Sequence, residues 1–225
     1  MIHGIWINDK NTLDDYGLIL LADVSIGAPE PKTNYIPVPE ADGEMDFTGA
    51  LTGGAVRYGM RQISLQLFPA YDIIAGKRRP ATEQHAAMIR QRFMEEVHGQ
   101  KVKLWLPDDG GHYFLGRMTV GEKGSYNNTT IPVTMTAEPW RYKNLETTVR
   151  VTDSGAVTLA NETRRAVPTF TATDAVTTVT FGDASHQLTP GSHQFPDIVL
   201  EPGQNVLTFS NVGDPVVVTY QEAVL

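Results

Sequence analysis

The sequence predicts a mostly β protein with two domains and a single helix. Three observations lead to this fold class: short alternating runs of apolar and polar residues, frequent turn signals between them, and a change of composition after Trp140. Alternation with a period of two is typical of strands that bury one face. A chain of 225 residues has room for one large domain or two small ones.

Three alternating runs predict strands in the first domain. They lie at 63–67, 102–106 and 131–137, where apolar residues occupy every second position. The run Asp-Asp-Gly-Gly at 108–111 predicts a hairpin between 101–106 and the apolar stretch at 113–122.

The single helix is predicted over 83–98. Thr82 is a suitable N-cap, and Gly99 is a natural stop just beyond the last turn. One apolar stripe follows the helical period and consists of Ala86, Ile89, Phe93 and Val97. Met88 lies on the polar face, where it is either an ordinary exposed side chain or part of a subunit contact.

Two segments of the first domain have the composition of contact regions. Residues 27–43 contain four prolines, which remove donors from any ladder and predict a long extended loop that includes Tyr35. Such a loop is either flexible in a monomer or an arm lying on a neighbouring subunit. Lys77, Arg78 and Arg79 form the one basic cluster, which is either a solvated loop or a contact with an acidic neighbour, such as another subunit's second domain.

The second domain is predicted over 144–225, after a first domain of 1–143. It has three arginines against nine acidic residues, a net charge of −6, whereas the first domain has −2. Two Pro-Gly turns, at 190–191 and 202–203, suit turns that need a glycine with positive φ. Closely spaced strands with such turns favour a small β-sandwich. The strands are predicted around 147–151, 156–160, 169–173, 176–181, 205–209 and 215–220.

Composition excludes several classes of protein. The chain has no cysteine, so disulfide scaffolds, thiolate metal sites and cysteine nucleophiles are excluded. Its net charge of −8 disfavours binding to a phosphate backbone, which depends on Lys and Arg. No signal peptide and no apolar run of 18 residues is visible, so we expect a protein that folds in the cytoplasm and does not enter a membrane.

No motif predicts catalysis, a metal site or a cofactor. The six histidines lack metal-binding spacing, and the serines and glycines match neither a nucleophile elbow nor a phosphate-binding loop. His186 and His193 flank a predicted hairpin, but the pattern provides no carboxylate partner for a metal. Adjacent carboxylates point in different directions on a strand or helix, so they do not form an acid–base pair. We therefore expect no enzyme activity.

The chain resembles the distal tail (Dit) proteins of phages with long, non-contractile tails. The segment 43–68 is similar to a segment of that family in which an acidic and apolar motif is followed by an aromatic residue, an arginine and a strand. The matching residues here are Asp46, Thr48 and Leu51 for the motif, Tyr58 for the aromatic residue and Arg61 for the arginine. A helix and the strand Lys-Val-Lys-Leu-Trp-Leu follow. The segment 137–143 resembles the end of the family's first domain. The segments 167–170 and 188–210 resemble its galectin-like second domain.

This resemblance implies a structural role in the virion. It implies a first domain that is a β-sandwich or split barrel carrying the helix and the extended loop, and a compact galectin-like β-sandwich as second domain. It also implies a homohexameric ring that joins the tail tube protein to tail-tip or fibre proteins, with DNA passing through the channel without specific binding. Such a protein is made and assembled in the bacterial host cytoplasm and resides at the tail tip. The candidate subunit-interface residues are Tyr35, Arg61, Lys77, Arg78, Arg79 and Met88.

The alternative function is a carbohydrate-binding β-sandwich that recognises a host surface. Exposed tryptophan faces are common in sugar sites, yet Trp6, Trp105 and Trp140 all precede the second domain. The aromatic residues of the second domain fall mostly at strand positions that suit a core. Saturable glycan binding would favour this alternative, and a discrete hexamer in solution would favour the ring.

Overall fold

The computed structural model describes residues 3–21, 24–40, 42–50, 52–74, 76–107, 111–121 and 129–225. The chain forms two compact units, residues 1–139 and residues 140–225. Each unit has its own cluster of buried apolar side chains. The division falls four residues before the boundary expected from composition, within a long strand.

The first unit is built mainly from strands. They are β1 (Trp6–Ile7), β2 (Lys10–Asn11), β3 (Leu18–Leu20), β4 (Ser25–Ile26), β5 (Pro31–Lys32), β6 (Tyr35–Pro37), β7 (Glu44–Asp46), β8 (Arg57–Tyr58), β9 (Arg61–Pro69), β10 (Tyr71–Ile74), β11 (Lys77–Pro80), β12 (Lys101–Trp105), β13 (His112–Val120) and β14 (Ile131–Lys143). Its helices are α1 (Thr12–Tyr16) and α2 (Glu83–Val97).

The main sheet of the first unit has the strand order β2-β1-β12-β13-β14-β9-β3, and β4 also pairs with β9. The alternation predicted for β9, β12 and β14 is confirmed, because their apolar residues are buried and the polar residues between them are mostly exposed. In the antiparallel ladder of β9 and β14, Ile63 lies opposite Met135 and Leu65 opposite Val133. All four side chains belong to the buried core of the first unit.

Helix α2 packs against β9, β10 and β13. It begins after Thr82, whose hydroxyl accepts a hydrogen bond from His85 N at 3.3 Å, and Gly99 follows it with a φ of 73°. Phe93 and Val97 are buried, which confirms the predicted apolar stripe.

The sequence predicts one helix, whereas the structure also contains α1. This helix has five residues, too few to produce a helical period in the sequence. Both ends of α1 are capped in the usual way. Asn11 Oδ1 accepts hydrogen bonds from Leu13 N and Asp14 N at the N-terminal end, and Gly17, with a φ of 72°, ends the helix. The ring of Tyr16 meets that of Phe93 edge to face, with centroids 5.4 Å apart, and so joins α1 to α2.

The second unit contains two four-stranded sheets around one core. Its further strands are β15 (Thr147–Val151), β16 (Gly155–Asn161), β17 (Thr169–Ala172), β18 (Thr178–Phe181), β19 (Ala184–Gln187), β20 (Gly191–Gln194), β21 (Gly203–Ser210), β22 (Val216–Tyr220) and β23 (Ala223–Val224). One sheet has the order β15-β22-β17-β20 and the other β16-β21-β18-β19. Both contribute side chains to one buried cluster, as in a β-sandwich. The glycines of both Pro-Gly turns have positive φ, as predicted.

The predicted Asp-Asp-Gly-Gly turn lies mostly outside the described residues, although the strands on either side of it, β12 and β13, do pair antiparallel. Among the described residues, no helix has the length and apolar character needed to span a membrane.

Candidate assembly surface

The described residues within 27–60 form a β-arm, whereas the prolines predict an extended loop over 27–43. β5 pairs with β8 and β6 pairs with β7, each in a short antiparallel ladder. The prediction of an unpaired loop was wrong because each ladder is only two or three residues long. Pro31 and Pro37 are tolerated in ladders with one partner strand, where one side of each strand needs no donor.

The arm exposes many large apolar side chains. Met45 is 52% exposed and Tyr35 is 51% exposed. The other exposed apolar side chains within the arm are Ile36, Val38, Phe47, Val56 and Met60. Soluble monomers rarely expose so many apolar groups in one segment, and such surfaces mark contacts with other molecules.

Local hydrogen bonds hold the arm in its conformation. Its base is fixed by Gly27 N, which donates to Gln62 O at 2.8 Å. Further out, Phe47 N donates to Asn34 O at 2.8 Å, and Asn34 N donates to Thr48 Oγ1 at 3.0 Å. Hydrogen bonds from Thr48 to Asp46 lower the pKa of that carboxyl group. Most of the arm is therefore ordered by short-range hydrogen bonds, with little burial against the rest of the unit.

The arm is also acidic. Its exposed carboxylates are Glu30, Glu40, Asp42, Glu44 and Asp46, against the basic residues Lys32 and Arg57. Four of the five carboxylates lie at or near the β6–β7 hairpin. An apolar and acidic surface of this kind would complement an apolar and basic one.

The predicted basic cluster lies on a separate hairpin. Lys77, Arg78 and Arg79 belong to β11, which pairs with β10 and is exposed throughout. Arg78 forms an ion pair with Asp14. Because side chains alternate along a strand, Lys77 and Arg79 lie on the face opposite Arg78. In the described part of the chain, neither has a carboxylate within 4 Å.

The remaining candidates differ in their accessibility. Met88 is 63% exposed on α2, so it is available for a contact. Arg61 is only 5% exposed, donates from Nη2 to Pro139 O and places its guanidinium 5.5 Å from the ring centroid of Phe114. Arg61 is thus occupied within its own unit, and its assignment to the interface is not supported by its position.

The sequence predicts only one residue of the arm, Tyr35, as a candidate for the subunit interface, and its other exposed apolar side chains were not identified. The usable signal was the density of apolar residues in a stretch rich in proline and carboxylates. Leu51, which contributes to the family resemblance, lies outside the described residues.

The second unit contains a histidine cluster for which the sequence pattern provided no carboxylate partner. His186 Nε2 lies 2.7 Å from Asp197 Oδ2, so the carboxylate partner that the sequence pattern lacked is Asp197. The ring of His186 stacks on Phe195 with centroids 4.1 Å apart, and His193 stacks on the same ring at 6.2 Å. Within the described ranges, no three His, Asp or Glu side chains are grouped to hold a metal ion.

Comparisons with known proteins identify the fold. No family of known proteins matches the sequence, and no curated protein matches it either. Among solved structures, the chain is similar to the Dit protein (gp 19.1) of phage SPP1, described as a paradigm of the hub adsorption apparatus in phages that infect Gram-positive bacteria. The TM-score is 0.62 at 14% identity, and the match covers 99% of each chain. The structure therefore confirms the all-β fold expected from the resemblance: over its whole length, the chain has the fold of a Dit protein.

Proposed function

We propose that the chain is a structural phage tail protein, a ring-forming hub at the distal end of the tail tube. The observation that carries this proposal is the end-to-end similarity to SPP1 Dit, which covers both units and not just a common sandwich. Fold similarity at low identity is an argument by analogy. The exposed apolar arm supports assembly independently.

The arm is the main subunit contact in this proposal. Its apolar side chains bind to a second copy of the chain, where they leave water. Six copies arranged around one axis repeat the same contact, so every arm is covered and no copy is left with a free surface. A contact of this kind requires different faces on the two partners, the arm on one and its docking site on the next.

Charge indicates where the arm of one copy meets the next. Lys77 and Arg79 provide two cations on one face of β11, and the β6–β7 hairpin provides carboxylates. Ion pairs across the subunit boundary would orient the arm more than they strengthen its binding.

A hub at the end of the tail tube has partners other than its own copies. The first unit builds the ring, and the second unit decorates it. One side of the ring contacts the tail tube protein and the other contacts tail-tip or fibre proteins. DNA passes through the channel, and a chain with a net charge of −8 would not retain it. No enzyme activity is needed for this role.

The test is the solution mass of the full chain by light scattering. From a chain of 24.7 kDa, a hexamer weighs about 148 kDa and is expected as one discrete species. Ile36 and Met45 lie opposite each other in the arm, so the double variant Ile36→Ser/Met45→Ser should shift the mass to that of a monomer. Val206→Ser is the matched control, because Val206 is an exposed apolar residue of the second unit.

The charged contact has its own test. Lys77→Glu/Arg79→Glu should weaken the oligomer most strongly at low salt, where charges are least screened. Unchanged mass at low and high salt would remove β11 from the interface. A clean monomer of the wild type at every concentration would contradict spontaneous ring formation.

The alternative, glycan recognition by the second unit, finds no support in the positions of its aromatic residues. Tyr142, Phe170, Phe209 and Tyr220 are buried, and Phe181 and Phe195 are partly buried. Trp140, which the structure places in the second unit and not before it, is also partly buried. A sugar platform needs an exposed aromatic face.

A further inference from the structure

Two tryptophans face each other on adjacent strands of the main sheet. Trp6 on β1 and Trp105 on β12 are register partners in an antiparallel ladder. Side chains of such partners lie on the same face, with Cβ atoms about 5 Å apart. The next pair, Ile7 and Leu104, is buried in the core, so the two indoles lie on the opposite, outer face.

A cleft of about 290 Å³ lies at this pair and is lined by Trp6, Trp105 and Asn8. Trp6 is 49% exposed, so much of its indole is available to a ligand. This volume lies just below the range that is usual for small-molecule sites, about 300–1,000 Å³. The cleft therefore suits a single ring rather than an extended ligand.

Asn8 gives the cleft a fixed polar group. Its Oδ1 accepts from Lys103 N at 2.9 Å, and its own N donates to Lys103 O at 2.9 Å. Its φ of 53° is in the left-handed region, which Asn adopts more readily than most residues. The side-chain amide is thereby held in place. Within the described part of the chain, Asn8 Nδ2 donates no hydrogen bond, so this group is available as a donor.

The indole of Trp105 is held in place by contact with a neighbouring tyrosine. The ring of Trp105 contacts that of Tyr113 with centroids 5.3 Å apart, and Lys103 Nζ lies 4.7 Å from the Tyr113 centroid. Aromatic side chains have few rotatable bonds, and this packing restricts Trp105 further. Lys103 is on the same exposed face as Trp105 and places a positive charge near the cleft. A cationic ligand is therefore disfavoured.

We propose that this cleft binds one pyranose ring of a carbohydrate chain. The C–H face of a pyranose matches the electron-rich face of the Trp6 indole, and Asn8 Nδ2 donates to a ring hydroxyl. A few fixed polar groups among aromatic walls are the usual composition of a small-molecule site. The site is in the first unit, so it is distinct from glycan recognition by the sandwich, and ring formation does not require it.

The experiment titrates the full-length chain with maltotetraose, cellotetraose, chitotetraose and oligogalacturonate. Tryptophan fluorescence and saturation-transfer NMR report binding. We expect saturable binding of at least one of these probes. Trp6→Ala should weaken it by about tenfold or more, because it removes the stacking face. Asn8→Asp keeps the acceptor for Lys103 N but loses the donor, and should weaken binding by about threefold to tenfold.

The control is Trp140→Phe, which removes an indole outside the cleft and should leave the affinity unchanged. Absence of binding of every probe at about 10 mM would overturn the proposal, as would binding that survives Trp6→Ala. A change of oligomer mass in Trp6→Ala with no glycan binding would also overturn it and would assign the pair to a protein contact. The mass of the wild type is measured in the same samples, so failure here is distinguishable from failure of the ring.

Discussion

Arg61 is a charged side chain inside an apolar core. Its guanidinium is held there by a hydrogen bond to Pro139 O and by the ring of Phe114. A buried charge is tolerated only when such partners replace the water it has lost. Arg61 therefore ties the start of β9 to the end of the first unit.

Arg61→Ala should lower the free energy of unfolding of the first unit by about 2 kcal/mol, because a charge-assisted hydrogen bond and its packing are lost. Urea denaturation followed by circular dichroism measures this. Arg57→Ala, an exposed residue of the same segment, is the control and should change little. If Arg61→Ala instead left stability intact and altered the oligomer mass, Arg61 would return to the interface.

Glu96 should make the first unit sensitive to acid. Lys10 Nζ and the Tyr16 hydroxyl both donate to Glu96, and these hydrogen bonds lower the pKa of its carboxyl group in the folded state. The ionised form is thus favoured by folding. The resulting stabilisation is present above the pKa of the unfolded state, near 4.5, and is lost as pH falls through the lower folded pKa.

We therefore expect wild-type stability to fall below about pH 4.5 more steeply than that of Glu96→Gln. Thermal melts between pH 7 and pH 3 measure the slope. Glu95→Gln is the matched control, since Glu95 is exposed and bonded only to the exposed Gln91 among the described residues. Parallel slopes for wild type and Glu96→Gln would contradict the role of this carboxylate.

Among the elements, β13 and β14 approach each other unusually closely. A Cβ added at Gly116 would lie 2.4 Å from Thr136 O and 2.5 Å from Ala137 Cα. Both are backbone atoms of a central strand and have little freedom to move. Position 116 therefore requires glycine because a side chain would clash with the backbone of β14, and not because of an unusual backbone conformation.

Gly116→Ala should destabilise the first unit by about 1–3 kcal/mol through overpacking. Gly59→Ala is the control, because the added methyl group there meets only Glu30 O at 3.5 Å. Denaturant midpoints compare the two variants. Equal stability would mean that β13 and β14 separate at little cost.

The sequence predicted the elements whose signal is local. β9, β12, β14 and α2 have clear periods, and the second unit's six predicted strands are all present. The short strands β19, β20 and β23 were not predicted, and neither was α1, because two to five residues do not establish a period. The arm was predicted as a loop because its ladders are short and pair segments as distant in sequence as Pro31 and Tyr58.

The candidate surfaces were predictable only in part. Lys77 to Arg79 stand out in the sequence as a run of charge. The sequence does not show that Arg61 is buried, because its burial depends on the tertiary contact between the start of β9 and the ring of Phe114. The Trp6–Trp105 pair was also hidden, because its register joins positions about one hundred residues apart.

At the scale of the whole molecule, the position of the boundary between the units has a measurable consequence. Strand β14 continues beyond residue 139, and Arg141 and Tyr142 pair with Val224 and Ala223 inside the second unit. Lys143 Nζ lies 2.9 Å from Glu222 Oε1, whose side chain is buried. The second unit therefore includes the residues from 140 onward.

A fragment of residues 140–225 should fold alone, because both sheets and their core lie within it. The fragment 144–225, cut at the boundary expected from composition, should be less stable by about 2–4 kcal/mol, because Glu222 loses its cation and β23 its partner strand. Chemical denaturation of the two fragments makes the comparison. Equal stability would favour the boundary at 143.

The pairing of Tyr142 with Ala223 also bears on how such a protein can evolve and be engineered. It places the two strands that flank the sandwich side by side, so the sandwich resembles a cassette with both connectors at one edge. A module with adjacent connectors can be replaced or transplanted with little linker. The second unit is therefore suited to transfer into another protein by design, and its place in this chain is suited to the insertion of a different sandwich.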